Sequence, residues 1–369
     1  MSNRREFLTT ATTLAAASSL APHTFAQNEN GKKKLGYALV GLGRLSTNQI
    51  APALQKTEHS ELVGIVTGSP EKAEQWQGKY GIEKKNTYNY RNFDKIVDNP
   101  NIDIVYVVLP NSMHEEFTIR AARAGKHVLC EKPMSVSSDE SRQMIAECDK
   151  ANVKLAIGYR CQFEPHHLEC MRLAKEETYG KLRHIDAGFG FRFGDYPLGD
   201  LRRWRLEMEY AGGGALMDVG VYALQACRYL TGEEPINVSA REVKTDEVKF
   251  AEVDETILWN MEFPSGVVAS CSTTYKFSGV NFFKAYCDKG QFGLGPAYSY
   301  GGTKGTAGNK PLELKNIDQF AAEMDDFSKV VKSNGTSKVS GVEGLRDMLV
   351  VDAIYKSIKT GKKTKVKKV

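Results

Sequence analysis

This 369-residue chain has no Cys-x-x-Cys pair, no stretch approaching the ~20 continuous apolar residues that span a bilayer, and no surplus of one charge along its body. The first absence leaves no zinc site indicated. The seven cysteines (Cys130, Cys148, Cys161, Cys170, Cys227, Cys271, Cys287) are odd in number, so they form no complete disulfide framework and read as free thiols, with one pair able to oxidise outside the cytoplasm. The formal charge is +5, but Lys362, Lys363, Lys365, Lys367 and Lys368 crowd the last eight residues and leave the remainder neutral. A neutral body argues against a nucleic-acid-binding face. With 41% hydrophobic and 26% charged residues, the chain is an ordinary globular one, long enough for two cores.

The N-terminus is set apart from the fold. Asn3-Arg4-Arg5-Glu6-Phe7-Leu8, an uncharged stretch over 9–20 rich in alanine and threonine, and Thr24-Phe25-Ala26 have the layout of a twin-arginine export signal over residues 1–26. An amphipathic helix would need a polar face, which 9–20 lacks. The expected location is the periplasm, with no membrane anchor after cleavage near Gln27. That route carries folded proteins, which suits a cofactor inserted before export. Residues 27–34 form a short polar, proline-free arm.

From 35 to 158, strands and helices alternate as in a dinucleotide-binding α/β domain with a doubly wound parallel sheet. Leu35-Gly36-Tyr37-Ala38-Leu39-Val40 reads as a buried strand, followed by Gly41-Leu42-Gly43-Arg44-Leu45-Ser46. Gly41 permits the tight turn and Gly43 the close approach of backbone to a pyrophosphate, while Ser46 stands where the fingerprint has its third glycine. The second strand, 62–66, ends in Thr67-Gly68-Ser69-Pro70, with Lys72 one helical turn on. Hydroxyls and a lysine suit a ribose 2′-phosphate, where an NAD site usually places a carboxylate, so NADP is expected over NAD. Further strands end at Leu109-Pro110-Asn111-Ser112-Met113-His114 and at Glu131-Lys132-Pro133. Two readings fit His114: facing the nicotinamide cleft, or capping a helix start.

Past Tyr159, strand-like runs follow one another with almost no helices between. A second, α+β domain is therefore expected over 159–340, built on a large, mainly antiparallel, open-faced sheet, then a helix over 341–360 and a basic tail over 361–369. Its helical interruption opens Gly212-Gly213-Gly214 and carries Asp218 and Tyr222, four residues apart and so on one helix face. A phenol beside a carboxylate can relay a proton if a nearby ammonium eases its ionisation, and Lys132 is the candidate. The plainer reading makes Tyr222 a core residue and Asp218 a cap, with Glu131 and Lys132 in a solvated turn. Trp204 and Arg205 fit either a sugar-binding edge or an interface.

Leu109-Pro110-Asn111-Ser112, Ala124-Gly125-Lys126-His127-Val128, Glu131-Lys132-Pro133-Met134, Ile157-Gly158-Tyr159-Arg160-Cys161, and Ala211-Gly212-Gly213-Gly214 through Asp218 and Tyr222 are specific motifs. On these the chain resembles, over about 35–361, the glucose-fructose oxidoreductase, inositol dehydrogenase and rhizopine catabolism protein family of NAD(P)-dependent sugar oxidoreductases, and looks most like its first-named member. The resemblance implies that Lys132, Tyr222 and Asp218 form one catalytic site, with Tyr222 the acid–base and Lys132 binding substrate. It implies cofactor contacts at Gly41, Gly43, Arg44, Leu45, Thr67, Lys72, Leu109, Pro110, Asn111, His114, Glu131, Lys132, Tyr159, Arg160, Trp204 and Arg205. It further implies tightly held NADP, ping-pong transfer from an aldose, which leaves as its lactone, to a second sugar carbonyl, and a homodimer or homotetramer formed through the open sheet face. The short arm departs from the long proline-containing arm of that member and puts cofactor retention in question. Alternatives on the same fold are an NAD-dependent glycosidase, a simple NAD(P)-dependent aldose dehydrogenase, and a non-enzymatic sugar-responsive protein, which would tolerate loss of Lys132 or Tyr222.

Overall fold

The computed structural model describes residues 34–197 and 200–369. The expected export signal and all but the last residue of the 27–34 arm lie outside the described residues. Six apolar runs make the first sheet: β1 (Leu35–Val40), β2 (Ser60–Val66), β3 (Thr87–Tyr88), β4 (Ile104–Val107), β5 (His127–Cys130) and β6 (Leu155–Ile157). They pair in the order β3-β2-β1-β4-β5-β6, all parallel. Tyr37 to Val40 and Ile104 to Val107 are fully buried, as a sheet covered on both faces requires. Strand order reverses between β1 and β4, so the crevice of this doubly wound sheet opens beyond Val40 and Val107.

The connections are helical. A wide π-type turn at Ser46–Ile50 leads into α1 (Ala51–Leu54), where Pro52 lacks the N–H that a regular helix would donate. Ser69 caps α2 (Pro70–Tyr80), accepting from the Lys72 N–H at 3.3 Å, and Ser137 caps α4 (Ser138–Lys150) in the same way; α3 (His114–Arg123) lies between β4 and β5.

The second sheet has nine strands: β7 (Leu182–Gly190), β8 (Asn237–Val243), β9 (Thr256–Glu262), β10 (Val268–Thr274), β11 (Val280–Cys287), β12 (Gly290–Leu294), β13 (Gly305–Ala307), β14 (Lys310–Pro311) and β15 (Thr364–Lys365). Their order is β14-β13-β12-β11-β7-β10-β9-β8-β15, with β7 and β10 parallel and every other pair antiparallel. Ile257, Trp259 and Met261 alternate inward on β9, packing in one core with α5 (Pro165–Lys175), α7 (Val221–Thr231) and α9 (Gly341–Thr360). The outward residues Leu258, Val268 and Phe282 are exposed, which leaves this sheet face open. All seven cysteines are free thiols, and Cys227 on α7 brings its Sγ to 3.6 Å from that of Cys271 on β10.

One expected boundary needs correction. The 159–340 segment is shared between cores, because α8 (Gln319–Lys332) puts Phe320, Met324 and Phe327, an apolar stripe at helical spacing, into the first one. There the Tyr37 hydroxyl donates to the Met324 carbonyl at 2.9 Å, satisfying a phenol with no water to reach. The basic tail over 361–369 is anchored to the second sheet. Thr364 and Lys365 pair with Val238 and Asn237 at the sheet edge, and Val366 is buried beside them.

Helix α9 joins the two halves. A side chain at Gly344 would place its Cβ 2.6 Å from the sulfur of Met134, so only glycine lets the helix lie against the turn that follows β5. One turn further on, Asp347 accepts from the Tyr159 hydroxyl at 2.6 Å and from Gln225 at 2.7 Å, and pairs with the buried Arg228 guanidinium. Arg228 also bonds Glu234 at 2.7 Å and Glu343 at 2.8 Å. Removing one member of such a buried network leaves an uncompensated charge. Arg228→Met is expected to lower the unfolding free energy by ~3–5 kcal/mol in urea titrations of the whole chain. A loss under 1 kcal/mol would mean that the network adds little to stability.

Candidate active site

The nucleotide side of the crevice is backbone. Gly41 has φ +92°, and a Cβ there would stand 2.3 Å from the Val108 carbonyl, so the turn after β1 admits only glycine. A Cβ on Gly43 would meet nothing within 4 Å: the chain is bare on the side where a pyrophosphate approaches a helix N-terminus. Ser46 is buried and donates to the Gly41 carbonyl at 2.6 Å, lacing the loop to the helix. Lys72 Nζ reaches back to donate to the Leu42 carbonyl at 3.4 Å, and Thr67 Oγ1 accepts from the Ser69 N–H at 3.2 Å. Arg44 and Leu45 line the cleft. The Leu109 side chain closes over Gly41, and Pro110 starts the turn leading to α3. This donor set fits a dinucleotide: an open N–H-rich turn for the diphosphate and a lysine beside it.

Four residues expected at the cofactor turn elsewhere. His114 is buried with its two ring nitrogens 2.8 Å and 2.9 Å from the carbonyls of Pro133 and Leu109, so it ties two crevice loops together and faces no cleft. Asn111 donates to the Ala211 carbonyl at 2.8 Å, joining its loop to the glycine turn that follows α6 (Met208–Ala211). Glu131 points under the sheet, accepting from the Tyr106 hydroxyl at 2.8 Å, which also lies 3.3 Å from Glu323. Tyr159 points to Asp347. At Glu131 and Tyr159 the next residue, Lys132 or Arg160, lines the cleft instead.

The sugar end of the cleft begins at Lys132, whose peptide bond to Pro133 is cis. Its Nζ donates to the main-chain carbonyl of Asp218 at 2.7 Å, lies 3.7 Å from Asp218 Oδ1, and sits 4.9 Å from the centre of the Tyr222 ring. Asp218 falls in a second wide turn, Leu216–Gly220, which runs into α7. Such turns break the regular carbonyl ladder and recur at functional sites. The other carboxylate oxygen of Asp218 accepts from Arg205 Nε at 3.1 Å and from the Tyr275 hydroxyl at 2.8 Å. Burial would raise the Asp218 pKa, but Arg205 first and Lys132 second outweigh it and hold the carboxyl below its usual range. Arg205 also lies over the Trp204 ring at 4.3 Å, so the arginine meets the cleft and the indole backs it.

Residues not expected from the sequence complete the cavity. Tyr275 packs against Phe191 and Phe193, with ring centres 5.3 Å and 5.0 Å away, which fixes the loop after β7 over the cleft. Tyr298 and Tyr300 close the far side. Tyr275 directly follows β10, while Tyr298 and Tyr300 lie between β12 and β13, and nothing local separates any of them from a core aromatic. The cleft measures about 590 Å³, within the ~300–1,000 Å³ of small-molecule sites, and is walled by aromatic rings that can stack on a sugar face.

A doubly wound sheet with a bare glycine turn, and a lysine, tyrosine and aspartate gathered beyond it, define an NAD(P)-dependent oxidoreductase. Residues 35–159 match the family model described as "Oxidoreductase family, NAD-binding Rossmann fold", and residues 167–293 match "GFO/IDH/MocA C-terminal domain". The chain belongs to the GFO/IDH/MocA family and is an NAD(P)-dependent sugar oxidoreductase. The aldose-aldose oxidoreductase from Caulobacter crescentus, solved with glycerol, is 42% identical with a TM-score of 0.85, the match covering 90% of this chain and 100% of that one. D-xylose 1-dehydrogenase (NADP(+)) 2 of Haloferax volcanii is 27% identical over 88% of this chain and 98% of its own length. 1,5-Anhydro-D-fructose reductase of Ensifer adhaerens is 26% identical over 89% and 98%.

Gly43 separates binding from folding. Gly43→Val should leave the unfolding free energy from urea titration within ~0.5 kcal/mol of wild type, because its side chain meets no protein atom, yet weaken nucleotide binding by at least ~10-fold. Unchanged affinity by calorimetry would show that the nucleotide does not run past this turn.

Proposed function

We propose that the protein is a periplasmic, NADP-containing sugar oxidoreductase that oxidises one aldose at C1 to its lactone and reduces the carbonyl of a second sugar, in ping-pong order. The observation that carries this reading is the convergence of Lys132, Asp218 and Tyr222 beyond the end of β5, beside the cleft wall formed by Arg44 and Leu45. Its support in the comparisons is the 42% identity to a protein named for aldose-to-aldose transfer.

When bound, the nicotinamide supplies hydride acceptance and return. The chain does the rest. Lys132 has one N–H committed to the Asp218 carbonyl and its charge directed by the Asp218 carboxylate, which leaves a donor for the sugar oxygen at the reacting carbon. Tyr222 takes the hydroxyl proton of the donor sugar and gives it to the carbonyl oxygen of the acceptor, so the proton stays on one group across both halves. Asp218 holds Lys132 and Arg205 in place and is not the proton carrier, since both its oxygens are engaged.

Three supports bear on the finer points. Lys72 reaching Leu42, with no carboxylate over Thr67 to Ser69, favours a 2′-phosphate. Outside the cytoplasm no soluble nucleotide pool re-oxidises a reduced cofactor, which suits ping-pong chemistry on retained NADP. The open face bearing Leu258, Val268 and Phe282 is the surface through which we place a homodimer or homotetramer.

The test is to denature purified protein, identify the released nucleotide by mass spectrometry, and add an aldose to native protein while following absorbance near ~340 nm, where reduced nicotinamide absorbs. A rise reversed by a second sugar, with no added cofactor, supports the proposal. Empty protein that needs added NAD would mark a simple dehydrogenase, and release of a free aglycone without net oxidation would mark a glycosidase. Lys132→Met and Tyr222→Phe should each slow nicotinamide reduction by at least ~100-fold, and near-normal rates would remove them from the chemistry. Lys72→Ala should shift nucleotide preference from NADP towards NAD by ~10-fold or more in binding titrations, with an unchanged ratio counting against the 2′-phosphate role.

A further inference from the structure

Arg160 is a buried cation whose hydrogen bonds all go to neutral oxygens. It is 2% exposed, donates to Gln319 Oε1 at 2.5 Å and to the main-chain carbonyls of Tyr298 and Ser299 at 2.6 Å and 3.2 Å, and its Nε–H has no partner. The guanidinium lies 4.9 Å from the centre of the Tyr222 ring and 4.7 Å from that of Tyr300, at the wall of the cleft. A buried charge without a counter-ion is costly, and folds seldom keep one that nothing answers.

The groups around Tyr222 show what could answer it. Lys132 and Glu131 come from the turn after β5, Arg160 and Cys161 from the turn after β6, His167 from α5, Asp218 from the same helix, and Tyr298 and Tyr300 from the loop opposite. Lys132 is already answered by Asp218. Glu131 and Glu323, the carboxyls nearest Arg160 electrostatically, share the Tyr106 hydroxyl, and burial raises both above the usual carboxylate range. Arg160 therefore has no carboxylate hydrogen-bonded to it, its charge being met only at a distance by the thiol of Cys161, which it pulls down, and by the buried carboxyls of Glu131 and Glu323, and it is placed against the ring whose oxygen becomes negative when it gives up its proton.

We propose that Arg160 is a positioning residue for the reaction: it supplies the fixed positive charge against which the Tyr222 phenolate forms, and acts through that tyrosine and not through the nucleotide. An interaction that strengthens as charge develops accelerates the step, where one of constant strength only binds. The direction agrees with the surroundings, since burial raises the Tyr222 phenol above its usual value and Arg160 pulls it back down. Gln319 fits the same logic, because a carboxylate in its place would neutralise the guanidinium and remove the effect.

This rests on Tyr222 being the proton-transfer group of the proposed function, and the test separates the two. Nicotinamide reduction by D-xylose in nucleotide-loaded protein is timed from about pH 6 to about pH 10 for wild type, Arg160→Lys, Arg160→Gln and Gln319→Glu. Below the Tyr222 pKa the rate climbs with pH in proportion to the small phenolate fraction, so the rising line itself is the readout. Arg160→Gln and Gln319→Glu should each displace that rise upward by ~1–3 pH units, with a matching ~10–1,000-fold loss at a fixed pH below it, while Arg160→Lys stays nearer wild type. Gln319→Glu keeps the guanidinium and its hydrogen bond, so it carries the test if Arg160→Gln fails to fold. A wild-type pH profile in both variants, with only KM altered, overturns this proposal alone. No reduction by any aldose in the wild type overturns the proposed function and this proposal with it.

Discussion

The contact between the Lys132 ammonium and Asp218 is the interaction on which the site depends, because it is where the two halves of the molecule meet in the cleft. Lys132 belongs to a turn fixed by β5 and by the packing of Met134 under Gly344. Asp218 belongs to the helix that carries Tyr222 and is braced from the other side by Arg205 and Tyr275. An ion pair this buried is a weak source of stability, since desolvation offsets most of the attraction. What it fixes is geometry: a lysine on one core and a tyrosine on the other are held a ring's width apart. The Arg228 network does the same work behind the cleft, fastening α7 to α9 and to Tyr159. Tyr222 therefore sits on a helix clamped at its start by Lys132 and along its length by Asp347.

Seen this way, the polar residues of the site divide by whether their charge is met. Asp218 is surrounded by donors and ionised, and it holds Lys132 and Arg205 in place. The carboxyls under β5 are pushed towards their neutral form and hydrogen-bond through Tyr106. Arg160 among these groups hydrogen-bonds only to neutral oxygens, so a guanidinium with no carboxylate bonded to it lies beside the phenol. The aromatic walls of the cleft strengthen whatever that charge does, because apolar rings take the place of polarisable solvent beside it.

Much of this was legible in the sequence, and the misses share one cause. The alternation of apolar runs and helical stretches indicated the parallel sheet, and the four-residue spacing of Asp218 and Tyr222 put them on one helix face. The Glu-Lys-Pro turn likewise pointed to Lys132 at a strand end. A motif, however, names neighbours together, and at the end of a strand successive side chains leave in opposite directions. Glu131 goes under the sheet while Lys132 enters the cleft, and Tyr159 goes to Asp347 while Arg160 enters the cleft. Trp204 and Arg205 divide similarly, indole behind and guanidinium in front. The partners that come from far along the chain, Tyr275 against Asp218 and Gln319 against Arg160, have no local signature because their placement is decided by tertiary packing. The same holds for α8, whose apolar stripe is visible but whose core is not.

Ser46 shows how a departure from a fingerprint is absorbed. The third glycine of a dinucleotide loop allows the helix to pack closely on the first strand, and any side chain there must find room. Here the side chain is fully buried and its hydroxyl donates to the Gly41 carbonyl at 2.6 Å, so the polar group that replaces the missing space is itself satisfied. The helix accommodates it by opening into a wide turn that begins at Ser46 and ends just before α1, where Pro52 has no N–H to lose. Serine, wide turn and proline thus form one solution: the loop keeps the geometry that glycine would have given it, gains a hydrogen bond within it, and leaves Gly43 bare towards the crevice. Sequence matching scores that position as a defect, while the hydrogen bonding makes it a brace for the nucleotide turn.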